Sequence, residues 1–342
     1  MGNHFWLGMA VILSSGAMNA GFSLPMKSSR SWKWENLWLV FSTVGVLILP
    51  WTLAWALVPG LPHVYAAAGA RTLLLPLLFG LLWGFAQVTF GLSLRIVGVA
   101  LTFAVVAGLG SLSGSLIPLL VFHREELFRP RGLLLFLSIP FLMVGLIFFG
   151  RAGRTREKEQ ATRNAGSSPP ASSFATGMAL CIFTGIFASS WNLGFAFGGE
   201  VIRAALRQGA GSLSAPYAVW GPVLGAGFIP NLLYCIYLLA KNRTAGLFFS
   251  SGWTREALLA LAMAFLWVTA ILGYGIGATL VGASGTSTGY MLFVAASILF
   301  ATAFGLLTGE WRGASARTSR LLFAAIAFIL TAVVILNLGG LF

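Results

Sequence analysis

The chain has 342 residues, of which 58% are hydrophobic and only 8% are charged, and it contains no aspartate. A soluble domain carries about 25% charged residues, so this composition excludes an ordinary water-soluble protein and indicates an integral membrane protein. The net charge of +13 resides in short segments between apolar runs rather than in one basic patch, which argues against a nucleic-acid-binding protein.

The apolar runs are long enough for membrane-spanning helices. A helix needs about 20 apolar residues to cross a bilayer, whereas a barrel strand needs about 10. A cleavable signal peptide over the first run is disfavoured, because the basic residues Lys27, Arg30 and Lys33 follow that run instead of preceding it. We therefore predict an all-α membrane protein with ten spanning helices. In chain order they cover 4–24, 36–58, 72–94, 97–121, 132–150, 174–194, 216–240, 256–276, 284–308 and 318–340.

Lysine and arginine concentrate in alternate loops. Cytoplasmic loops are rich in these residues, so the basic set is predicted to face the cytoplasm and both termini the outer, periplasmic side of the inner membrane. This set comprises Lys27, Arg30, Lys33, Arg95, Arg151, Arg154, Arg156, Lys158, Arg163, Lys241, Arg243, Arg255, Arg312, Arg317 and Arg320.

One long polar segment divides the chain. Residues 151–173 are basic at first and then rich in Ser and Pro, which predicts a flexible cytoplasmic linker. It separates two halves, 1–150 and 174–342, with five predicted helices each. Because five is odd, the second half enters the membrane from the opposite side.

The two halves also share sequence. LWGFAQVTFGLSLRIVG at 82–98 matches LWVTAILGYGIGATLVG at 266–282, in the third helix of each half. GMAVILSSG at 8–16 resembles GMALCIFTG at 177–185, in the first helix of each half. Chance similarity between apolar segments is the alternative explanation. An inverted repeat predicts a transporter whose substrate site lies near the midplane between the halves.

Four segments carry a resemblance to a known family. They are PMKSSRSWKWENLW from Pro25, LLFGLLWGFAQVTFGLSLRIVG in helices three and four, GRAGRTREKE after helix five and GEWRG after helix nine. In this order they resemble the L-rhamnose–proton symporter family of the drug/metabolite transporter superfamily. The resemblance implies ten helices in two inverted five-helix repeats and symport of L-rhamnose or a related sugar with protons. Thr286 and Phe293 stand where it implies an acidic residue and a histidine, so the ninth helix supplies no coupling group.

Amide and aromatic side chains in the helices are the candidate sugar contacts. Amides offer a donor and an acceptor to sugar hydroxyls, and a Trp face can pack on the C–H face of the ring. The amides could equally hold helices together. The candidate substrate-binding residues are Asn19, Trp83, Gln87, Trp191, Asn192, Asn231, Trp267 and Tyr274.

A proton carrier requires a group that titrates, and no carboxylate falls in the middle of a predicted helix. Glu200 is the candidate, since it follows GFAFGG without a basic run and is expected near the outer mouth. Its alternative role is a solvated charge paired with Arg203. No motif for an enzyme, a metal or a cofactor is present. The alternatives to a symporter are a uniporter or exporter of another small metabolite and, from a different class, a membrane-embedded enzyme or a sensor.

Overall fold

The computed structural model describes residues 2–122, 128–163, 172–212, 214–281 and 288–338. Within these ranges the regular structure is helical. The α-helices are α1 Gly2–Gly21, α2 Leu24–Lys27, α3 Trp34–Ser42, α4 Leu49–Leu57, α5 Leu61–Ala68, α6 Ala70–Ile96, α7 Val99–Phe122, α8 Pro130–Arg163, α9 Ser172–Ala188, α10 Ser190–Phe197, α11 Gly199–Arg207, α12 Tyr217–Asn242, α13 Trp253–Val281, α14 Thr288–Leu307 and α15 Ala316–Leu338. A π-helix, Thr43–Ile48, joins α3 to α4, and a 3₁₀-helix covers Ala245–Phe249.

Eight stretches of the described chain are long and apolar enough to cross a membrane. They are Phe5–Lys27, Trp34–Leu57, Ala70–Ile96, Gly132–Arg156, Phe174–Arg207, Tyr217–Asn242, Trp253–Ala278 and Ala316–Ile335. Each overlaps a predicted helix. The other two predicted helices, 97–121 and 284–308, overlap α7 and α14, in which Val99–Ser113 and Leu292–Leu307 are apolar helical stretches of described residues. All-helical membrane architecture is therefore confirmed, and the number ten remains a prediction.

Two of the predicted elements differ from the structure. The predicted linker 151–173 is helical as far as Arg163, because α8 continues into it, while 164–171 lie outside the described residues. Arg, Lys, Glu, Gln and Ala dominate 151–163, and all of them have high helix propensity. The predicted sixth helix, 174–194, is interrupted near Ser189, which separates α9 from α10. Beyond its predicted end, a second break at Gly198 separates α10 from α11.

The chain divides into two compact units. The first unit comprises Met1–Gly21, Thr89–Ile186 and Thr269–Phe342, and the second comprises Phe22–Val88 and Phe187–Val268. In the first unit, α8 packs along α15, and α14 contacts α1, α7 and α15. In the second unit, α12 packs against α3, the π-helix and α4, and α11 packs against α5. Each unit draws helices from both halves of the sequence.

Glycine permits a close contact between two helices of the second unit. A Cβ atom added to Gly80 of α6 would collide with the Val223 backbone of α12, and one added to Gly84 would collide with the Gly227 backbone. Without side chains at these positions the two backbones touch directly, as small residues allow between membrane helices. The small-xxx-small spacing of Gly80 and Gly84 thus serves packing in this structure.

Candidate functional site

Tryptophan rings gather inside the second unit. Trp83 of α6 is 8% exposed and stacks on Trp267 of α13, with ring centroids 6.0 Å apart and an angle of 24° between the planes. Trp191 of α10 packs against the same apolar cluster and lies 4.9 Å from Trp220 of α12. Aromatic pairs in these arrangements are favourable beyond their buried area. The cluster therefore supplies flat apolar surfaces of the kind that pack on a sugar ring.

A hydrogen-bonded amide pair lies beside this cluster, and the glycine contact explains why. Gln87 is almost one turn beyond Gly84 on α6, and Asn231 is one turn beyond Gly227 on α12. Because the backbones touch at the glycines, the two amides meet directly, with Asn231 Nδ2 donating to Gln87 Oε1 at 3.0 Å. Asn231 is completely buried and Gln87 is 7% exposed.

Asn231 is enclosed by protein and uses both ends of its amide in bonds within the protein. Its Oδ1 accepts from Trp38 Nε1 at 2.8 Å, and its Nδ2 donates to Gly227 O at 2.9 Å as well as to Gln87. Gln87 Nε2, by contrast, donates to no described residue, and it is not completely shielded from the surroundings of the protein. In this pair Gln87 is therefore the residue with a free polar group for a ligand.

The first unit contains a second, smaller group. Asn19 of α1 donates through Nδ2 to Ser297 Oγ of α14 at 3.1 Å. Asn19 is partly exposed, and no described residue donates to its Oδ1. Tyr274 of α13 lies against Phe293 of α14 with ring centroids 5.1 Å apart. The amide of Asn19 thus presents an acceptor.

The predicted contacts divide between these two groups. Trp83, Gln87, Trp191, Asn231 and Trp267 meet in the second unit, whereas Asn19 and Tyr274 are in the first. The side chain of Asn192 lies outside the described residues, although its backbone belongs to α10. The assignment of these residues to a substrate site stays a prediction.

Sequence reasoning missed Trp38 and Ser297. Trp38 is fully buried and bonds to Asn231 across 193 positions of the chain, and Ser297 receives the bond from Asn19 across 278. Trp38 lies in the segment from Pro25 that carries the family resemblance, which was the available signal. Its partner on α12 could not be inferred from any local pattern.

Glu200 is an exposed residue of the short helix α11. Its carboxylate accepts from Arg203 Nη2 at 2.6 Å, one turn further along the helix, and the two side chains are 57% and 60% exposed. The pairing with Arg203 that was the alternative expectation is present. An exposed ion pair of this kind contributes little to stability, so its rearrangement does not threaten the fold.

Two glutamates at the starts of helices are buried. Glu256 is 2% exposed and accepts from Arg30 N at 3.0 Å and from Arg255 Nη1 at 3.2 Å. Glu35 is 1% exposed and accepts from Asn242 Nδ2 at 2.9 Å and Thr244 Oγ1 at 2.8 Å. Glu256 lies in the first turn of α13, where its sequence position suggests a helix-end charge, but it is not solvated, because the segment from Pro25 folds against the segment that follows α12.

Two further glutamates cap helices of the first unit. Glu310 accepts from Val99 N at 2.8 Å and from Ala100 N at 3.4 Å, at the start of α7. Glu159 accepts from Ser315 N and from Thr318 Oγ1, each at 2.9 Å, at the start of α15. The first backbone N–H groups of a helix lack intrahelical partners, so these carboxylates satisfy donors and complement the helix dipole.

Replacing Glu310 by Ala should lower the stability of the first unit. The variant leaves the N–H groups of Val99 and Ala100 without their charged acceptor, which costs about 1–3 kcal/mol. The measurement is the apparent melting temperature of the purified protein in detergent. Glu200→Ala is the matched control and should change that temperature far less, because its carboxylate binds only an exposed side chain. Equal melting temperatures for Glu310→Ala and the wild type would contradict the capping role.

The comparisons with known proteins agree on one family. The model of the L-rhamnose-proton symport protein family matches residues 1–341. Similar proteins named L-rhamnose-proton symporter occur in Pectobacterium atrosepticum, at 27% identity over 99% of both chains, and in Yersinia pestis and Yersinia pseudotuberculosis, at 26% identity over 99% of both chains. With several apolar helices long enough to span a bilayer, the protein is a multi-pass inner-membrane protein. The chain belongs to the L-rhamnose-proton symport protein family, a family of transporters and not of enzymes.

Proposed function

We propose that the protein is a secondary active transporter that carries L-rhamnose or a related neutral sugar in symport with protons, by alternating access. The observation that carries this proposal is the family match over residues 1–341. The relatives that align over 99% of both chains are named L-rhamnose-proton symporter, and this name is the reason for choosing that sugar and that ion.

The chemistry of the second unit supports a sugar as the substrate. A monosaccharide has hydroxyl groups around a ring whose faces carry C–H bonds. Trp83 and Trp267 offer stacked indole faces, and Gln87 beside them offers a free N–H₂ group. Asn19, in the first unit, offers a carbonyl oxygen that can accept from a hydroxyl group. Neither group contains a described charged side chain, which suits a neutral ligand.

The proposed architecture is ten helices in two inverted repeats, 1–150 and 174–342. Two features of the structure support it in addition to the repeated sequence. Each unit takes equivalent segments from the two halves, since the second unit combines the second predicted helix and most of the third predicted helix of one half with those of the other. The first helix of each half is also interrupted at a comparable place, after Gly21 and after Ala188. Orientation with both termini outside belongs to the same proposal and can be tested with accessible tags.

We assign the proton to Glu200. Four other glutamates hold parts of the fold. Glu159 and Glu310 cap helices, Glu256 binds backbone N–H groups, and the buried Glu35 accepts from a side chain of the segment that follows α12. Protonation would weaken those contacts. Glu200 binds one exposed arginine, so it can gain and lose a proton without disturbing the fold. A uniporter is the competing function, favoured by the lack of a carboxylate or histidine in α14, Thr288–Leu307.

The test of the proposed function is uptake of L-rhamnose by vesicles that contain the purified protein. With an imposed pH gradient, acid outside, a symporter accumulates the sugar above its external concentration. A uniporter equilibrates the sugar and ignores the gradient. A protein that transports no neutral monosaccharide in either condition would contradict the proposal.

Gln87→Leu should weaken sugar binding. The variant removes the free N–H₂ group and leaves a sugar hydroxyl unpaired, which costs about 1–3 kcal/mol, or roughly 5- to 150-fold in affinity. Binding can be measured from the rise in apparent melting temperature with sugar concentration. Gln208→Leu makes the same change at an exposed position and should bind as the wild type does. Unchanged affinity in Gln87→Leu would place the sugar elsewhere.

A further inference from the structure

The hydrogen bonds around Asn231 fix which end of its amide faces which neighbour. Trp38 can only donate through its indole nitrogen, and this nitrogen lies 2.8 Å from Asn231 Oδ1. On the opposite side the neighbours are carbonyl oxygens of Gly227 and Gly84, which can only accept, at 2.9 and 3.4 Å from Nδ2. A flipped amide would place oxygen against oxygen and nitrogen against N–H. One orientation of Asn231 is therefore strongly favoured.

That orientation determines the orientation of the next amide. Asn231 Nδ2 is a donor, so the atom of Gln87 that faces it at 3.0 Å must be the acceptor Oε1. The N–H₂ group of Gln87 is consequently turned away from Asn231, and no described residue accepts from it. The chain of bonds from Trp38 through Asn231 thus forces Gln87 to present a donor.

We infer that Asn231 and Trp38 are positioning residues that make Gln87 a hydrogen-bond donor to an oxygen atom of the transported sugar. This inference rests on the proposed function, and it names the polarity of one contact in that site. It also assigns a role to Trp38, which does not itself reach a ligand because it is completely buried. The alternative is that the bond between Trp38 and Asn231 only joins α3 to α12 and has no effect on the orientation of Gln87.

Burial strengthens the hydrogen bonds that run from Trp38 through Asn231 to Gln87. Trp38 and Asn231 are both fully buried, so no water competes for their polar atoms. In such surroundings hydrogen bonds polarise one another, and an unpaired group is costly. The Trp38 ring is also fixed by its neighbours, stacked on Trp34 at 5.2 Å and tilted on Phe41 at 4.9 Å. The indole N–H of Trp38, which is the first donor in this series of hydrogen bonds, is therefore held in place.

The first experiment is a double-mutant cycle on sugar affinity. Trp38→Phe keeps an aromatic ring and removes the N–H donor, and we expect it to weaken binding of L-rhamnose about three- to tenfold. In the Gln87→Leu background the same change should have no further effect, because the group that it orients is gone. If the role of Trp38 were purely structural, the fold-losses of affinity in the two single variants would multiply in the double variant.

The structure offers a closely matched control. Trp32 is 6% exposed, lies in the same segment and donates its indole N–H to Leu247 O at 2.9 Å, but it makes no contact with Asn231. Trp32→Phe therefore removes an equivalent buried hydrogen bond. It should lower the melting temperature without changing the affinity for L-rhamnose. Equal losses of affinity in Trp32→Phe and Trp38→Phe would overturn the inference.

A variant at Gln87 tests the polarity without touching Trp38, which matters if Trp38→Phe fails to fold. Gln87→Glu keeps an acceptor towards Asn231 but presents a second acceptor to the ligand at neutral pH. We expect affinity to fall at neutral pH by at least fivefold and to recover as the pH is lowered, when the carboxyl group gains a proton and becomes a donor. A Gln87→Glu variant that binds as tightly as the wild type at neutral pH would overturn the inference.

The same measurements separate this inference from the proposed function. The wild type is first tested for binding of L-rhamnose, L-mannose and L-fucose. If it binds none of them, the proposed function and the inference built on it both fail. If the wild type binds one of these sugars but the affinity losses of Trp38→Phe and Gln87→Leu multiply in the double variant, only the positioning role fails.

Discussion

Gly84→Val should prevent the second unit from folding normally. A Cβ atom at this position would overlap the Gly227 backbone of α12, which cannot move aside as a flexible side chain can. Overpacking in a core costs about 1–3 kcal/mol and more where backbone must shift, and the added valine methyl groups enlarge the overlap. We expect little monodisperse protein after detergent extraction, and a strongly lowered melting temperature for any that remains.

The control for this prediction is another glycine inside a helix. Gly150 of α8 has no described atom within 4 Å of the position that a Cβ would occupy. Gly150→Val introduces the same β-branched side chain, and it should leave expression and melting temperature close to those of the wild type. Normal yield of Gly84→Val would show that α6 and α12 do not touch at this position.

The glycine contact also connects packing to the candidate site. Gln87 and Asn231 lie within about one turn of the contact, and their bond of 3.0 Å requires the two helices to stay close. A partial separation of α6 and α12 in Gly84→Ala should therefore weaken sugar binding more than Gly80→Ala does, because Gly80 lies on the same face but one turn further from the amides. The two variants should have similar melting temperatures, since an added Cβ atom meets the α12 backbone at both positions.

Hydrophobicity was sufficient to predict the spans but not their interruptions. Long apolar runs identify α6, α12 and α13 because twenty or more such residues have few alternatives in a membrane. The π-helix at Thr43–Ile48 and the breaks near Ser189 and Gly198 depend on which backbone N–H bonds to which carbonyl. Mean hydropathy is nearly the same for a continuous and a broken helix, so a composition argument cannot locate them.

Candidate residues could be selected from the sequence, but the hydrogen bonds that connect them could not be predicted, and their role in binding sugar stays a prediction. The scarcity of amides in the helices drew attention to Gln87 and Asn231, and the repeated Leu-Trp drew attention to Trp83 and Trp267. The donor and acceptor roles of the two amides depend on Trp38, which is distant in sequence. The buried positions of Glu35 and Glu256 likewise result from contacts between loops that no local pattern encodes.

Glu200→Gln should abolish accumulation of sugar against its gradient and leave exchange of sugar across the membrane intact. A proton that moves inward gains about 2.3 kcal/mol per 100 mV of membrane potential, and this energy reaches the sugar only through a group that binds the proton. Glutamine keeps the size of the side chain and cannot titrate. Folding should be unaffected, since the carboxylate contacts only the exposed Arg203.

Vesicle uptake with an imposed pH gradient measures both quantities on the same sample. Arg71→Gln is the control, because it removes an exposed positive charge other than Arg203 and Arg207, the two arginines that act electrostatically on Glu200, and it should accumulate sugar as the wild type does. Equal gradient-driven accumulation in Glu200→Gln and the wild type would show that another group carries the proton. A wild type that ignores the gradient would identify a uniporter or a carrier coupled to another ion, because no proton-binding step would then be linked to movement of the sugar.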